Sequence, residues 1–246
     1  MQIVVDKVKK EYVNGHGSTL ALNGVSFEVK KGEFFCILGP SGCGKTTLLN
    51  LLAGFDNPSA GTIHIDGKVV LKPHKEYVTV FQEHSLFPWL NSFENVSFGL
   101  ELNGKDKAEC VTVAAKCLKQ VHLEDCEKLF PCELSGGMKQ RLQLARTLAV
   151  KPKIIFMDEP FAALDPLMKE ELQNEILRIW REEKLTIVLV THDISSAIML
   201  ADRIAVMSKS GTIKEIIEIK LARPRDKLTM QIGKLEKQIY EVMASK

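Results

Sequence analysis

A glycine-rich segment near the N-terminus combines the residue types that bind phosphate. It fits the pattern G-x-x-x-x-G-K-[ST] and comprises Gly39, Pro40, Ser41, Gly42, Cys43, Gly44, Lys45, Thr46 and Thr47. The glycines allow a tight turn in which successive backbone amides point at one phosphate. We expect Lys45 to reach the outer phosphates and the Thr46 hydroxyl to bind Mg²⁺. This segment, the phosphate loop, predicts a nucleoside triphosphate site; the alternative is a glycine-rich turn that binds nothing.

The residues on either side of the phosphate loop have the patterns that such a loop requires. The apolar run at 34–38 has the length of a strand, and leucines at 48, 49, 51 and 52 begin an apolar helical face. The helix would add the positive end of its dipole to the phosphate site. Strand, loop and helix in this order favour the binding site over the plain turn.

Two acidic residues directly follow a second apolar run, at 154–157. Asp158 and Glu159 stand where a predicted parallel strand ends, which is where ligands bind in open α/β sheets. We expect Asp158 to hold Mg²⁺ through water and Glu159 to polarise an attacking water molecule. The alternative, two acids that end a strand in solvent, is disfavoured by the phosphate loop upstream.

A third motif, Ser135-Gly136-Gly137, opens a predicted helix with apolar residues at 138, 142, 145 and 148. A helix N-terminus with available amides and a hydroxyl can hold an anion. The chain would then contain two phosphate-binding segments that are far apart in sequence. Taken alone, the motif is also compatible with an ordinary helix cap.

Composition limits the class of protein. The 246 residues suit one large α/β domain or a core with an inserted lobe. A net charge of +2 gives no strong field for nucleic acid or a membrane surface. No apolar run approaches the roughly 18 residues that span a bilayer, and residues 1–6 lack signal-peptide features. We expect a cytoplasmic chain unless a partner recruits it.

Six cysteines, at 36, 43, 110, 117, 126 and 132, include no C-x-x-C pair. This spacing disfavours a zinc site, and the predicted compartment disfavours a disulfide framework. Cys43 lies inside the phosphate loop but has no activating base evident nearby. We interpret it as a small residue whose backbone faces phosphate.

The predicted elements place these motifs in a mixed α/β chain. Alternation at 2–9 and 25–30 indicates strands separated by a turn cluster at 14–18, and Asp66-Gly67 indicates a hairpin. Residues 92–149 are mostly helical in pattern, with breaks at 103–104 and 130–131.

The C-terminal half repeats the alternation of strands and helices. A strand at 153–157 precedes a helix that starts at Asp165-Pro166, with apolar positions 168, 172, 176 and 179. A continuous apolar run at 185–190 is typical of a strand buried on both faces. Asp193 can cap a further helix, residues 203–219 indicate a hairpin, and 235, 239 and 242 indicate a peripheral tail helix.

Together these motifs resemble the ATPase subunit of ABC transporters over about residues 1–220. The phosphate loop resembles the Walker A motif of that family, and 154–159 resembles Walker B with its catalytic glutamate. Leu134-Ser135-Gly136-Gly137 resembles the family signature. The resemblance assigns Glu159 to water activation and Ser135, Gly136 and Gly137 to the γ-phosphate of a nucleotide bound by another copy.

Four further positions are assigned by the same resemblance. Gln82 is similar to the Q-loop glutamine that contacts Mg²⁺ and water, and Ala163-Leu164-Asp165 to the D-loop. His192 resembles the switch histidine on the γ-phosphate, and Tyr12 the aromatic residue that stacks on adenine. A buried structural histidine and a plain surface tyrosine are the alternatives. Ala162 departs from the family, which usually has serine there.

The resemblance implies a P-loop NTPase (RecA-like) α/β core with an antiparallel β subdomain and an inserted α-helical subdomain. It implies a nucleotide-binding domain at 1–220, with the helical insert at about 85–149, and a helical tail at 221–246. ATP and Mg²⁺ are the implied cofactors. The implied partners are a second copy in a head-to-tail ATP sandwich, membrane permease subunits and, indirectly, a solute-binding protein, but no nucleic acid. The expected location is the inner face of the cell membrane.

The segments around Phe81-Gln82-Glu83 and Leu86-Phe87-Pro88-Trp89-Leu90 resemble the importer branch for nitrate, sulfonate and taurine, as does 221–226. An exporter or other importer ATPase is the nearest alternative, although exporters usually carry transmembrane helices in the same chain. A soluble ABC ATPase of DNA repair or ribosomes usually has coiled-coil inserts or tandem nucleotide domains, and the charge of +2 gives no basic stripe. A non-catalytic nucleotide switch is disfavoured by Glu159 and His192.

Overall fold

Two units make up the chain in a computed structural model, which describes residues 1–15, 17–83, 85–162, 164–226 and 229–245. The first unit contains residues 1–74 and 185–246, and the second contains residues 75–184. The predicted domain boundary at residue 220 and the helical insert at 85–149 stay predictions. Within the described ranges, no helix has both the length and the apolar character needed to cross a bilayer.

The first unit contains an antiparallel sheet. Its strands are β1 (Ile3–Asn14), β2 (Gly17–Val29), β4 (Ala60–Ile65) and β5 (Lys68–Val69), in the order β2-β1-β4-β5. The strand predicted at 2–9 continues to residue 14 because its pairing with β2 continues as far as the turn. The turn cluster at 14–18 includes residue 16, which lies outside the described residues. Ile3 faces Val29 on one side and Ile65 on the other, and all three are buried.

Parallel strands form the second layer of the first unit. β3 (Phe34–Leu38) lies between β8 (Thr186–Thr191) and β9 (Arg203–Met207), and β10 (Ile213–Glu218) pairs antiparallel to β9. Every residue of β3 and β8 is buried, as the continuous apolar run at 185–190 predicts. The helices of this unit are α1 (Lys45–Ala53), α6 (Ile194–Leu200) and α7 (Met230–Ala244).

The second unit contains a pair of parallel strands and four helices. The strands are β6 (Tyr77–Val80) and β7 (Ile154–Asp158). The helices are α2 (Ser92–Leu102), α3 (Lys107–Gln120), α4 (Gly136–Ala149) and α5 (Pro166–Glu183). α2 ends at the predicted break beside Gly104, and a short 3-10 turn starts at Pro131. Asp165 caps α5 and is followed by proline at the first helical position.

Two predicted apolar faces differ in detail from the structure. On α5, Leu172, Ile176 and Ile179 are buried, but Met168 is 42% exposed. Met168 lies in the first turn of α5, and its sulfur would lie 2.9 Å from a methyl group at Gly137 in α4. On α7, Ile239 is buried as predicted, and residues 235 and 242 are half-buried. The buried Ile232, one turn before residue 235, completes that face and was missed.

Candidate nucleotide-binding site

The phosphate loop begins where three parallel strands end together. Leu38, the last residue of β3, lies opposite Thr191 of β8 and Val206 of β9. The amide of Gly39 donates to the carbonyl oxygen of Thr191 across 3.3 Å. The loop is therefore attached to the neighbouring strand at its first residue, at the carboxyl edge of the sheet, where α/β folds bind ligands.

Glycine is required at two positions of the loop because other backbone atoms approach closely. Gly44 has a φ of 97°, and a methyl group there would lie 2.4 Å from the carbonyl oxygen of Ala21. A methyl group at Gly39 would lie 2.8 Å from the sulfur of Cys43 and 3.1 Å from the backbone of Met207. Close contacts within the first unit thus explain why the motif has glycine at positions 39 and 44.

Lys45 lies back over the phosphate loop. Its side chain is buried, and its ammonium donates to the carbonyl oxygens of Gly39 at 2.9 Å and Pro40 at 3.0 Å. An ammonium has three donors, so one N–H remains beyond these two bonds. Gly44 has no side chain to cap α1, and the first turn of α1 contains no acidic residue. This end of the helix is electrostatically suited to an anion.

Three other residues of the loop differ in exposure. The Thr46 residue is exposed in the first turn of α1, whereas Thr47 is half-buried. Cys43 is buried, and burial raises the pKa of its thiol. A buried, protonated thiol is a poor nucleophile, which agrees with the interpretation that Cys43 contributes its backbone, and not its thiol, to the phosphate loop.

The end of β8 carries the predicted switch histidine. His192 follows the buried Thr191 and is exposed, which argues against the alternative of a buried structural histidine. The hydroxyl of Thr191 accepts a hydrogen bond from the amide of Asp193 at 3.1 Å. Asp193 in turn caps α6 by accepting from the amide of Ser196 at 2.8 Å. His192 is therefore held in a short, hydrogen-bonded connection beside the phosphate loop.

Tyr12 lies on β1 and is 42% exposed. Its hydroxyl donates to a carboxylate oxygen of Asp56 at 3.0 Å, and Thr47 is within hydrogen-bonding reach of the same hydroxyl. Lys10 binds the other oxygen of Asp56 at 2.6 Å and lies 4.9 Å from the centre of the tyrosine ring. The ring is thus fixed next to the end of the phosphate loop, as an adenine platform requires. Sequence reasoning missed Asp56, which is separated from Tyr12 by 44 residues.

In the second unit, two parallel strands end at one edge and present three of the predicted site residues. Val80 of β6 lies opposite Met157 of β7, so Gln82 and Asp158 both follow the same end of the pair. Asp158 is 7% exposed and Gln82 is exposed. Glu159 is half-buried and has a φ of 47°. This left-handed conformation costs of order 1–3 kcal/mol in a non-glycine residue and is concentrated at functional sites.

The signature segment forms a capped helix start in the same unit. Ser135 caps α4, and its hydroxyl oxygen accepts from the amide of Met138 at 3.3 Å, which leaves its proton able to donate. A methyl group at Gly136 would meet nothing within 4 Å. A methyl group at Gly137 would lie 2.9 Å from the sulfur of Met168. The side-chain position of Gly136 therefore faces open space.

Asp165 has a local role that the sequence only partly indicated. Its carboxylate caps α5 by accepting from the amides of Leu167 at 3.0 Å and Met168 at 3.1 Å. Residue 163 of the predicted D-loop lies outside the described residues. The second unit thus brings Asp165 next to the amide of Met168, and Gly137 next to the sulfur of Met168. It places Gln82, Asp158 and Glu159 together at the strand ends.

Comparisons with known proteins agree with these motifs. The sequence profile of the family described as "ABC transporter" matches residues 22–162. An uncharacterized ABC transporter ATP-binding protein of Methanocaldococcus jannaschii is 44% identical over 99% of this chain and 91% of its own length. The aliphatic sulfonates import ATP-binding protein SsuB of Bacillus cereus is 41% identical over 98% of this chain and 95% of its own. The bicarbonate transport ATP-binding protein CmpD of a Synechocystis strain is 41% identical over 92% of this chain and 81% of its own length.

A solved structure gives the same result for the fold. The dimeric ATP-binding cassette MJ0796, in a post-hydrolysis state bound to ADP and Pi, superposes with a TM-score of 0.80. It is 33% identical in sequence and covers 89% of this chain and 100% of its own. The predicted P-loop NTPase fold and the predicted family are confirmed. The chain belongs to the ABC transporter family of ATP-binding proteins.

Proposed function

We propose that this chain hydrolyses ATP to power the import of a small solute, of the nitrate, sulfonate or taurine type, through a membrane permease. The observation that carries the proposal is the phosphate loop, with its buried Lys45 and uncapped helix start, in a chain of this family. The relatives named for aliphatic sulfonate import, bicarbonate transport and nitrate import, at 40–41% identity, support the importer branch. All three solutes are small oxyanions.

Within the first unit, the proposed roles follow from position. The amides of the phosphate loop and Lys45 bind the phosphates, and Tyr12 stacks on the adenine. Lys45 exchanges one or both loop carbonyls for phosphate oxygens when ATP binds. His192, exposed at the end of β8 beside this loop, contacts the γ-phosphate.

Within the second unit, Glu159 orients the attacking water and accepts its proton. The proposed Mg²⁺ ligands are Gln82 and Asp158 of the second unit and Thr46 of the first. Their amide oxygen, carboxylate and hydroxyl are hard oxygen ligands that suit Mg²⁺. Thr46 and Gln82 are exposed and Asp158 ends a strand, so these donor types fit the ion. Bound Mg²⁺ would neutralise charge on the phosphate oxygens.

A second copy completes the site in this proposal. Ser135, Gly136 and Gly137 of that copy bind the γ-phosphate through a helix N-terminus and a hydroxyl that still has a proton to donate. The open space at Gly136 supports this role, as does the dimeric state of the solved cassette MJ0796. ATP then holds the two copies together by its charge, and hydrolysis releases them.

The second unit also has a surface suited to the permease. A cavity of 410 Å³ is lined by Phe81, Phe98 and Leu102, among others. Thr79 and Gln143 also line it, and each has a buried side-chain oxygen without a hydrogen-bond partner in the described part of the chain. A partner that fills this cavity with an apolar side chain and a hydrogen-bond donor would satisfy both features.

The change Glu159→Gln tests the hydrolytic part of the proposal. We expect turnover to fall at least about 100-fold, since a positioned general base contributes roughly 10²–10⁴-fold. ATP-dependent dimerisation, measured by light scattering, should increase. Glu109→Gln, on the surface of α3 in an ion pair with Lys105, is the matched control and should change neither. Retained turnover in Glu159→Gln would assign the base elsewhere.

Purification of the membrane complex tests the importer part. A solute-binding protein loaded with nitrate, a sulfonate, taurine or bicarbonate should stimulate ATP hydrolysis by the complex in vesicles. Stimulation by solute alone, with no binding protein required, would instead indicate an exporter.

A further inference from the structure

Two arginines that follow β10, the half-buried Arg223 and the buried Arg225, contact the C-terminal end of α6. We name Arg223 and Arg225 the arginine clamp. Arg225 is 8% exposed, and its guanidinium donates to the carbonyl oxygens of Ile198 and Ala201, the latter at 2.7 Å. Arg223 donates to the carbonyl oxygen of Leu200. The last carbonyls of a helix have no partner within it, so the clamp supplies hydrogen-bond donors to carbonyls of buried residues at the end of α6.

The arginine clamp is also linked to the strand that leads into the phosphate loop. Arg223 binds one carboxylate oxygen of Asp202 at 2.6 Å. The other oxygen accepts from the amide of Phe34, the first residue of β3, at 2.9 Å. The amide of Asp202 donates back to the carbonyl oxygen of Phe34 at 2.7 Å. One carboxylate therefore joins the clamp to β3.

The other end of α6 starts directly after the switch histidine. α6 has seven residues, which is a length of roughly 10 Å, and helices shorter than about 12 residues are marginal without tertiary contacts. Its orientation therefore depends on tertiary contacts, which include the packing of its buried residues and the groups bound at its two ends. Asp193 caps the first end, and the arginine clamp holds the second.

The arrangement has an energetic cost that ordinary packing would avoid. The charges of the two guanidinium groups repel each other, and Asp202, which pairs with Arg223, offsets part of that repulsion. Burial and the neighbouring Arg223 lower the pKa of Arg225 to about 10. Positive charge at a helix C-terminus offsets part of this cost. Aliphatic side chains could fill the same space without it, but they could not donate to the carbonyls of α6.

We propose that Arg223 and Arg225 are positioning residues for His192: they fix α6, and through it the histidine, relative to β3 and the phosphate loop. The inference rests on the proposed role of His192 at the γ-phosphate. Under this proposal, residues 223–225 help to position a residue of the nucleotide site, although the sequence predicts a peripheral tail from residue 221.

A double-mutant cycle in the full chain tests this inference. Arg225→Ala should lower kcat about tenfold, because misplacement by about 1 Å costs up to 100-fold. The Kd for a fluorescent ATP analogue should change less than about threefold, since the phosphate loop is intact. In the His192→Ala background, Arg225→Ala should lower kcat by less than about twofold, because residues that act as one unit are not additive.

Further variants separate positioning from folding and from the proposed function. Arg225→Lys keeps the charge and should restore part of kcat; it replaces Arg225→Ala in the cycle if that variant fails to fold. Lys220→Ala, an exposed position nearby, is the control and should leave kcat unchanged. The inference would be overturned if the two substitutions lowered kcat independently, so that their effects multiplied in the double variant. It would also be overturned if Arg225→Ala weakened ATP binding by as large a factor as it lowered kcat. Unchanged turnover in His192→Ala alone would instead overturn the proposed role of the histidine.

Discussion

The ammonium of Lys45 lies 2.9 Å from the carbonyl oxygen of Gly39, the first residue of the loop that this lysine closes. The bond supplies an acceptor to a buried cation and holds it against the loop. In the proposed site, a phosphate oxygen replaces this carbonyl oxygen as the acceptor. The lysine is thus positioned before the nucleotide binds.

Replacing Lys45 by alanine should weaken ATP binding about 10- to 100-fold, because a hydrogen bond to a charged group contributes about 1.5–3 kcal/mol. Isothermal titration with ATP measures the Kd. Lys31→Ala, an exposed lysine of the same unit just before β3, is the control and should bind ATP as the wild type does. Equal affinities in Lys45→Ala and the wild type would remove the lysine from the site.

Two glycines of the phosphate loop should respond differently to alanine. Both have positive φ, but the added methyl group at Gly44 would meet Ala21 at 2.4 Å, whereas the one at Gly42 would meet nothing within 4 Å. Gly44→Ala should therefore lower the free energy of unfolding by at least about 2 kcal/mol more than Gly42→Ala, which carries only the backbone strain. Urea unfolding without nucleotide gives both values. Equal losses would show that backbone strain alone governs the loop.

Because the side-chain position of Gly136 faces open space, a substitution there should lower ATP hydrolysis without lowering the stability of the fold. Gly136→Ala should leave the free energy of unfolding within about 0.5 kcal/mol of the wild type, because the methyl group meets no atom of this chain. ATP hydrolysis should fall at least about tenfold, because a methyl group would stand where the partner's γ-phosphate binds. Gly233→Ala, a helical glycine that also faces open space, is the control. Normal hydrolysis and ATP-driven dimerisation in Gly136→Ala would refute the shared site.

The contact between Asp56 and Lys10 should make the stability of the fold depend on pH. The hydrogen bond from Lys10 lowers the pKa of the Asp56 carboxyl below its ordinary value near 3.8. Because the folded-state pKa is the lower one, the stabilisation is present above that ordinary value and is lost as pH falls through the folded-state pKa. In Lys10→Met, the pKa of Asp56 measured by carbon NMR should rise towards 3.8, whereas Lys10→Arg should keep it low. An unchanged pKa in Lys10→Met would assign the effect to the other donors.

Local pattern was sufficient to predict most of the elements of this chain. The start of α5 at Asp165-Pro166 and the break after α2 depend on capping and glycine chemistry that neighbouring residues determine. The buried β8 followed from an uninterrupted apolar run. The period of the apolar residues places Met168 on the same face of α5 as Leu172, but Met168 is 42% exposed. Its position beside Gly137 depends on a different helix.

The sequence by itself determined the fold class, the family and the identity of the phosphate loop, because these depend on residue types at short, fixed spacings. Only the tertiary structure decided why Gly44 cannot carry a side chain, which carboxylate holds Tyr12, and what the arginines of the tail contact. Ala21, Asp56 and Asp202 act across 21 to 44 residues of chain. Local periodicity cannot predict such pairings, because they arise only when strands and helices distant in sequence pack against one another.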